Sequence, residues 1–172
     1  MPTLVRSVPP GDTTRSFIVA DHLDFMQTIL QRHLQAKDTR LLPTLLARGG
    51  DEVAQIVHLM EAQHSQLKKL CADIQDATSV WLTDGTRESR KVLTNTLDRF
   101  LLVLNDHLRT DEELFLPLVG THLTQAEWAM IAQEASVGIG PADQPLLFGM
   151  LKYEGDREVS EHGTRTPAGV NS

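Results

Sequence analysis

Residues 51–74, DEVAQIVHLMEAQHSQLKKLCADI, carry the pattern that decides the fold. Apolar side chains recur there at steps of four and three, and one histidine takes a place among them. The stripe consists of Val53, Val57, Met60, His64, Leu67, Cys71 and Ile74. Residues three and four apart share one face of an α-helix. The sequence therefore predicts a long amphipathic helix that buries His64.

Two further stretches repeat this rhythm, and each again carries one histidine. The earlier stripe consists of Val19, Leu23, Met26, Leu30, His33 and Lys37. The later stripe consists of Leu97, Phe100, Leu104, His107, Asp111 and Leu114. With the usual start and stop signals, the three patterns predict helices over about 14–41, 51–81 and 86–119. Such helices bury their stripes against one another.

Turn and capping residues separate these helices. Asp12, Thr13 or Thr14 can cap the first helix, Gly49-Gly50 ends the segment after it, and Asp51 is placed to cap the second. Thr124 and Glu127 form a capping box that opens a short fourth helix to about residue 135. We therefore predict an all-α, antiparallel up-down bundle of three long helices plus a short C-terminal helix.

The ends of the chain differ in composition from its middle. Residues 1–12 are rich in proline and are predicted to be an irregular lead-in, and residues 13–153 one helical domain. Leu146 to Tyr153 can add one or two turns of helix to it. Residues 154–172 are polar and predicted to be a disordered tail.

The three histidines are predicted to lie at one depth of the bundle. His33 lies 16 residues before Gly49 and His64 lies 14 after Gly50. His64 lies 20 residues before Asp84, and His107 follows Gly85 by 22. At about 1.5 Å of rise per residue, these positions coincide to within about one turn in antiparallel neighbours. The sequence therefore predicts a core layer with a histidine from each long helix.

Composition excludes several classes of partner. The formal net charge is −7, which argues against binding to a phosphate backbone. No apolar run approaches the ~20 residues that span a bilayer. The single cysteine, Cys71, cannot form an intramolecular disulfide and fits a reducing compartment. We therefore expect a cytoplasmic protein with neither a nucleic-acid nor a membrane partner.

Histidines beside carboxylates suggest a metal site. A lone histidine on an apolar face is more often a hydrogen-bonded core residue than a ligand. Three histidines at one level, with Asp111 one turn after His107, instead favour a role as metal ligands. Imidazole and carboxylate side chains on facing helices are how bundles hold iron or manganese.

Four segments of the sequence resemble a known family. They are GDTTRSFIVADHLDFMQTILQRHLQAKDTRLLPTLLARGG, HLMEAQHSQL, LNDHLRTDEELFLPLV and LTQAEW. Together they resemble the hemerythrin-like HHE cation-binding proteins of actinobacteria over about residues 11–153. The resemblance implies a four-helix up-down bundle with a non-haem di-iron centre. Such centres bind or sense oxygen, nitric oxide or iron itself.

The resemblance also implies which side chains hold the metal. They are His33, Asp38, His64, His107, Asp111 and Glu112. His33 matches the first histidine and Asp38 the last acid of the family's HHxxED motif. His64 and His107 match the histidines of the third and fourth helices. Asp111 matches the carboxylate that follows the latter, and Glu112 is a neighbouring acid that could substitute for it.

Three departures from the family pattern bear on this site. Leu34 stands at the second histidine of HHxxED, and Lys37 stands at a bridging glutamate. The family's first helix, with its own histidine, is not found before the matched segments. An ammonium cannot ligate a cation and repels it. We therefore predict that Lys37 pairs with Asp111 across the core in place of the metal's charge.

A missing helix would leave an open apolar groove. Either a second copy of the chain fills this groove as a homodimer, or the family's first helix is encoded upstream of the given start.

Three functions remain open at this point. The first is non-haem iron binding with sensing or storage, through a partly lost site and with a diatomic gas as a possible ligand. The second is a metal-free structural or interaction protein. The third is a metal-dependent enzyme such as a peroxidase.

Overall fold

Every element that the computed structural model describes, over residues 1–136, is helical. There are seven α-helices and two π-helical turns in that range. In chain order they are α1 (Pro2–Arg6), α2 (Thr13–Ala36), the first π-turn (Lys37–Leu41), α3 (Leu42–Arg48), α4 (Asp51–Asp84), α5 (Arg87–Thr110), the second π-turn (Asp111–Phe115), α6 (Leu116–His122) and α7 (Gln125–Ser136). The predicted turns at Leu146–Tyr153 and the predicted tail lie outside the described residues.

These elements form three long, continuous helical rods: α2 to α3, α4, and α5 to α6. The first π-turn joins α2 to α3, and the second joins α5 to α6, so each pair continues as one helix. Helix α4 lies between them in the chain and packs against both α2 and α5. Short turns connect the rods, so neighbours run antiparallel. The predicted all-α bundle is confirmed, with α7 as the short C-terminal helix.

Each π-turn lies just before a proline. The Leu42 N–H donates to the Lys37 carbonyl, and the Leu116 N–H donates to the Asp111 carbonyl, five residues back in each case. In an α-helix a proline ring clashes with the carbonyl four positions earlier. The wider turn lets each helix run on through Pro43 or Pro117. The first helical rod therefore ends at Arg48 rather than near residue 41 as predicted.

The helix caps agree with the sequence at most positions. The Asp12 side chain accepts a hydrogen bond from the Arg15 N–H at 3.0 Å and caps α2. The Glu127 carboxylate accepts from the Thr124 N–H at 2.9 Å, and the Thr124 hydroxyl accepts from the Glu127 N–H at 3.3 Å. The predicted capping box of α7 is therefore confirmed.

The predicted cap of α4 is wrong in its details. Gly50, not Asp51, is the N-cap residue of α4, and no side chain caps it. Asp51 and Glu52 instead lie in the first turn, where carboxylates interact favourably with the helix dipole. At the other end, Gly85 closes α4 with a φ of 60°, a left-handed conformation that glycine adopts without strain.

Two apolar clusters form the core. The first core cluster includes Val8, Leu23, Leu34, Leu67, Cys71, Ile74, Trp81, Leu93, Leu97 and Phe100. The second core cluster consists of Leu41, Leu42, Leu45, Val53, Val57, Met60, Phe115 and Val119. Along α4, the buried His64 stands between Met60 of the second cluster and Leu67 of the first. The polar site therefore lies between two apolar layers.

The start of the chain is more ordered than predicted. Residues 2–6 form α1, and Val5 and Val8 are buried in the first core cluster. This segment packs chiefly against α5. A short apolar pattern flanked by prolines was too weak to predict it. Within residues 1–136, no helix is long and apolar enough to cross a membrane.

Candidate functional site

Helices α4 and α5 bring two of the three predicted histidines together. His64 and His107 are each 1% exposed, and both lie on the apolar stripes that the sequence predicted. Their ring centroids are 4.9 Å apart, with an angle of 70° between the ring planes. The predicted register between α4 and α5 is therefore correct at this level.

His33 does not share their burial. The structure places it among the exposed residues, so the expected core position is wrong. It still borders the site, because the charges of Lys37, Asp111 and the His64 ring act on its pKa. Desolvation, followed by the Lys37 ammonium, lowers that pKa, and the Asp111 carboxylate offsets part of the shift.

The predicted pair of Lys37 and Asp111 is confirmed. The Lys37 ammonium donates a hydrogen bond to the Asp111 carboxylate between the starting residues of the two π-turns. The Lys37 side chain is 5% exposed and the Asp111 side chain 15%. The ammonium also lies 5.0 Å from the ring centroid of Phe115, within the range of a cation–π contact. A buried positive charge therefore stands beside the two histidines.

Asp38 is placed on His64 rather than beside His33. Its Oδ1 lies 2.5 Å from Nδ1 of His64, and its Oδ2 accepts from the Lys68 ammonium at 2.5 Å. Desolvation raises the pKa of Asp38, but the hydrogen bonds from Lys68 and His64 lower it by more. An ionised carboxylate can only accept, so His64 carries its proton on Nδ1. Asp38 thereby orients the imidazole of His64.

The side-chain amide of Gln63 orients the imidazole of His107 in the same way. Nδ1 of His107 donates to Oε1 of Gln63 at 3.4 Å. The Gln63 amide nitrogen in turn donates to the Thr110 hydroxyl at 3.0 Å. The side-chain amide is thus fixed with its oxygen towards His107. Both core histidines are held in the tautomer that leaves Nε2 without a proton.

The Nε2 atoms of His64 and His107 have no hydrogen-bond partner within residues 1–136. Nε2 of His64 and Nε2 of His107 are buried and accept no hydrogen bond from any described residue. Buried polar atoms are nearly always paired, so two unpaired lone pairs at one site call for an explanation. Such atoms can accept a proton or bind a cation.

Burial keeps both imidazoles neutral. Desolvation, followed by the Lys37 ammonium, lowers the pKa of His107 to about 4. Desolvation also lowers the pKa of His64, although the Asp38 carboxylate works against it. Desolvation lowers the pKa of Lys37 as well, and the Asp111 carboxylate offsets part of this effect. At neutral pH two uncharged imidazoles therefore lie beside the buried ion pair of Lys37 and Asp111.

The remaining predicted ligand, Glu112, is not part of the polar site around His64 and His107. Glu112 is exposed at the second position of the second π-turn. Among the described residues 1–136, no three histidine, cysteine or acidic side chains converge in a way that could hold a metal ion. Asp38 is hydrogen-bonded to His64 and Lys68, and Asp111 is paired with Lys37.

Gln63 and Lys68 are site residues that the sequence reasoning missed. Lys68 lies one turn after His64, and this i, i+4 spacing could have indicated a shared partner. Gln63 precedes His64 directly, so it projects from a different side of α4 and the stripe pattern gave no sign of it. Its role depends on how α5 approaches α4.

Comparison with models of known protein families shows which family the chain belongs to. The model of the hemerythrin HHE cation binding domain matches residues 4–120, more than half of the chain. The match begins within α1, so it includes the segment before the first long helix. Neither the curated proteins nor the solved structures that were compared gave a match. The chain therefore belongs to the hemerythrin HHE cation-binding domain family.

Proposed function

We propose that this chain is a member of its family that works without a di-iron centre, as a structural or interaction module. The observation that carries the proposal is the buried pair of Lys37 and Asp111. An ammonium stands where the family pattern has a bridging carboxylate. It supplies positive charge to the core, as a metal ion would, but offers no lone pair.

The donor set does not fit two metal ions. A di-iron centre needs bridging carboxylates and several imidazoles per pair of ions. Here Asp111 is bonded to Lys37, Asp38 is bonded to His64 and Lys68, and His33 is exposed. A cation brought beside Lys37 would also meet the repulsion of a buried ammonium, which solvent screens poorly.

A second candidate function is binding of a single iron ion in the cytoplasm, with sensing of oxygen, nitric oxide or iron. The observation that favours it is that Nε2 of His64 and Nε2 of His107 find no hydrogen-bond partner in the described part of the chain. Both lone pairs are prepared for a ligand by hydrogen bonds at Nδ1, an arrangement common in metal sites. Asp111 could serve as a third donor only after leaving Lys37.

The interaction role rests on an incompletely covered core stripe. Met26 and Leu30 of α2 and Leu104 of α5 lie on the stripes of their helices but remain half-buried. Ile18 of α2 is 64% exposed. Because α1 is only five residues long, it covers a small part of these helices. We propose that a second copy of the chain covers the rest in a homodimer.

Light scattering coupled to size exclusion tests the homodimer. We expect twice the mass of one chain at micromolar concentration, and a monomer for Leu104→Glu. Leu102, which is 69% exposed on the opposite side of α5, gives the matched control Leu102→Glu. A stable wild-type monomer at all concentrations would remove the dimer from the proposal.

Metal analysis tests the absence of a di-iron centre. Protein is purified from iron-supplemented cells, exchanged into chelator-free buffer and measured by plasma mass spectrometry. We expect far less than one iron per chain in the wild type and a higher content in Lys37→Glu. Lys69→Glu, at an exposed position on α4, controls for the charge change. Near-stoichiometric iron in the wild type that resists chelators would overturn the proposal and favour the second candidate.

A further inference from the structure

We propose that helix α7 is a movable cover on the first π-turn, held in place by the ion pair between Arg48 and Glu127. When this ion pair breaks, α7 separates from the bundle, and the π-turn that carries Lys37 and Asp38 loosens with it. The device goes beyond the proposed function, because it acts on the polar layer whether or not that layer holds a metal ion.

The two π-turns are alike in local structure but differ in the helix that packs along them. The second π-turn packs against α4, a helix of 34 residues, in addition to its neighbours in the chain. The first π-turn reaches α4 through the Asp38 side chain, but the helix that packs along it is α7, with 12 residues. Support for the first π-turn therefore depends on a short helix at the edge of the bundle.

Little apolar surface holds α7 in place. Of the α7 side chains that the structure describes, residues 125–131, only Ile131 packs against the second core cluster. Met130 is 61% exposed and Trp128 is 38% exposed. A shallow groove beside α7 is lined by Arg40, Thr44, Leu123, Glu127, Met130 and Ile131. Elements with few buried apolar contacts open locally at a small cost in free energy.

One carboxylate joins α7 to the ends of two rods. The Arg48 guanidinium donates to both oxygens of Glu127, at 3.0 and 2.6 Å, and also to the His122 carbonyl at 2.9 Å. Arg48 is the last residue of α3, and His122 is the last residue of α6. The Glu127 carboxylate also accepts from the N–H and the hydroxyl of Thr124, at 2.9 and 2.8 Å. Paired hydrogen bonds of this kind fix the orientation of both side chains.

Solvent reaches this ion pair, so ionic strength acts on it. The Arg48 side chain is 43% exposed and the Glu127 side chain 36%. Salt screens exposed charges over about 30 Å at 0.01 M but over about 3 Å at 1 M, whereas it screens buried pairs much less. The pair of Lys37 and Asp111 is buried. Rising salt should therefore release α7 before it weakens the pair in the polar layer.

The backbone of the first π-turn connects α7 to the polar layer. The turn closes where the Leu42 N–H donates to the Lys37 carbonyl. Its first two residues carry the side chains that bind Asp111 and His64. Because π-helical turns are rare conformations, the packing around such a turn must maintain it. Separation of α7 removes part of that packing, so the loss of order extends to the turn.

Amide hydrogen exchange of the full chain, followed by NMR, tests the cover. The Leu42 N–H reports on the first π-turn, and the Leu116 N–H, which closes the second, is the internal control. In Glu127→Gln we expect exchange in α7 and at Leu42 to become about two- to fivefold faster, with Leu116 unchanged. The glutamine can still accept from Thr124 and keep the capping box, but it no longer attracts Arg48 by charge.

Salt gives a second test without any substitution. In the wild type, a change from about 0.01 M to about 1 M sodium chloride should speed exchange at Leu42 by a similar factor. The same change should have little effect on Leu42 in Glu127→Gln. Arg6→Ala, which removes the exposed pair with Asp98, is the matched control and should leave exchange at Leu42 as in the wild type.

Three outcomes would overturn the proposal. Faster exchange in α7 with no change at Leu42 would show that α7 opens without affecting the first π-turn. Equally faster exchange at Leu42 and Leu116 would show a general loss of stability. Unchanged exchange in α7 would show that the pair of Arg48 and Glu127 does not hold this helix in place.

Discussion

Residues 33–43, HLQAKDTRLLP, and residues 107–117, HLRTDEELFLP, are two versions of one local structure. Each begins with histidine at the end of a long α-helix, continues through a π-turn and passes a proline ten residues later. The fifth residues, Lys37 and Asp111, face each other and pair. The segments differ in the sign of that charge and in the burial of their histidines.

This difference shows that one backbone pattern can bury different residues in its two copies. His107 of the second segment is buried, whereas His33 of the first is exposed. The leucines that follow the histidines show the reverse, since Leu34 is fully buried and Leu108 only half-buried. The two segments therefore bury different residues, and the ion pair of Lys37 and Asp111 links them.

Removing the negative member of the pair should have the largest effect. Asp111→Asn leaves the Lys37 ammonium buried without a counterion, and we expect a loss of about 3–5 kcal/mol in the free energy of unfolding. Lys37→Met should cost much less, because the remaining Asp111 carboxylate is closer to solvent and methionine fills a similar volume. Urea denaturation measures both, with Lys69→Met as the exposed control. Equal losses for the two variants would contradict this asymmetry.

The leucines at equivalent positions of the two segments, Leu34 and Leu108, give the next test. Leu34→Ala removes a side chain with no exposed surface, and we expect a loss of about 2–5 kcal/mol. Leu108→Ala makes the same chemical change at the equivalent position of the second segment. Because Leu108 is half-buried, its truncation should cost less than half as much. Denaturant titrations of both variants measure the two losses in the free energy of unfolding. Similar losses would mean that Leu34 and Leu108 are buried alike.

The dependence of stability on pH should report the buried histidines. The pKa of His107 is about 4 in the folded chain and about 6.5 when unfolded. Unfolding therefore takes up a proton between these values. The stability that neutral His107 contributes is fully present above pH 6.5 and is lost as the pH falls towards 4, by on the order of 3 kcal/mol.

Variants test that assignment. His107→Gln should flatten the rise of stability between pH 4 and 6.5, as measured by urea denaturation at a series of pH values. His58→Gln, at an exposed position on α4, should leave the slope as in the wild type. An unchanged slope in His107→Gln would show that other groups cause the acid sensitivity.

The smallest expected effect concerns the ends of the two rods. Arg48, at the end of α3, donates to the His122 carbonyl at 2.9 Å and pairs with Glu127 of α7 at 2.6 Å. Exposed ion pairs contribute little to global stability. We expect Arg48→Ala to speed amide exchange in α7 without changing exchange in α4. Faster exchange in both helices would indicate a wider role for this contact.

Much of this account could be predicted from the sequence. The stripes and caps locate the helices because each is a local pattern with a fixed period. The pair of Lys37 and Asp111 was also predictable, since both residues lie one turn beyond a histidine on facing helices. The exposure of His33 was not predictable, because a stripe does not tell which part of it a neighbouring helix will cover.

Other features depend on geometry that spacing does not reveal. Asp38 follows Lys37 directly and would project differently from an uninterrupted α-helix. The π-turn and the approach of α4 bring it to Nδ1 of His64 instead. Gln63 acquires its role only because α5 places His107 within reach of its amide. Both contacts are consequences of how the helices pack, not of any local pattern.

The proposed function depends on an ammonium, rather than a metal ion, in the polar layer of the core. A high-resolution crystal structure of protein purified without oxygen from iron-supplemented cells tests this most directly. We expect Lys37 within hydrogen-bonding distance of Asp111 and no metal density beside His64 and His107. Metal density bridging the two imidazoles, with Lys37 displaced from Asp111, would contradict it.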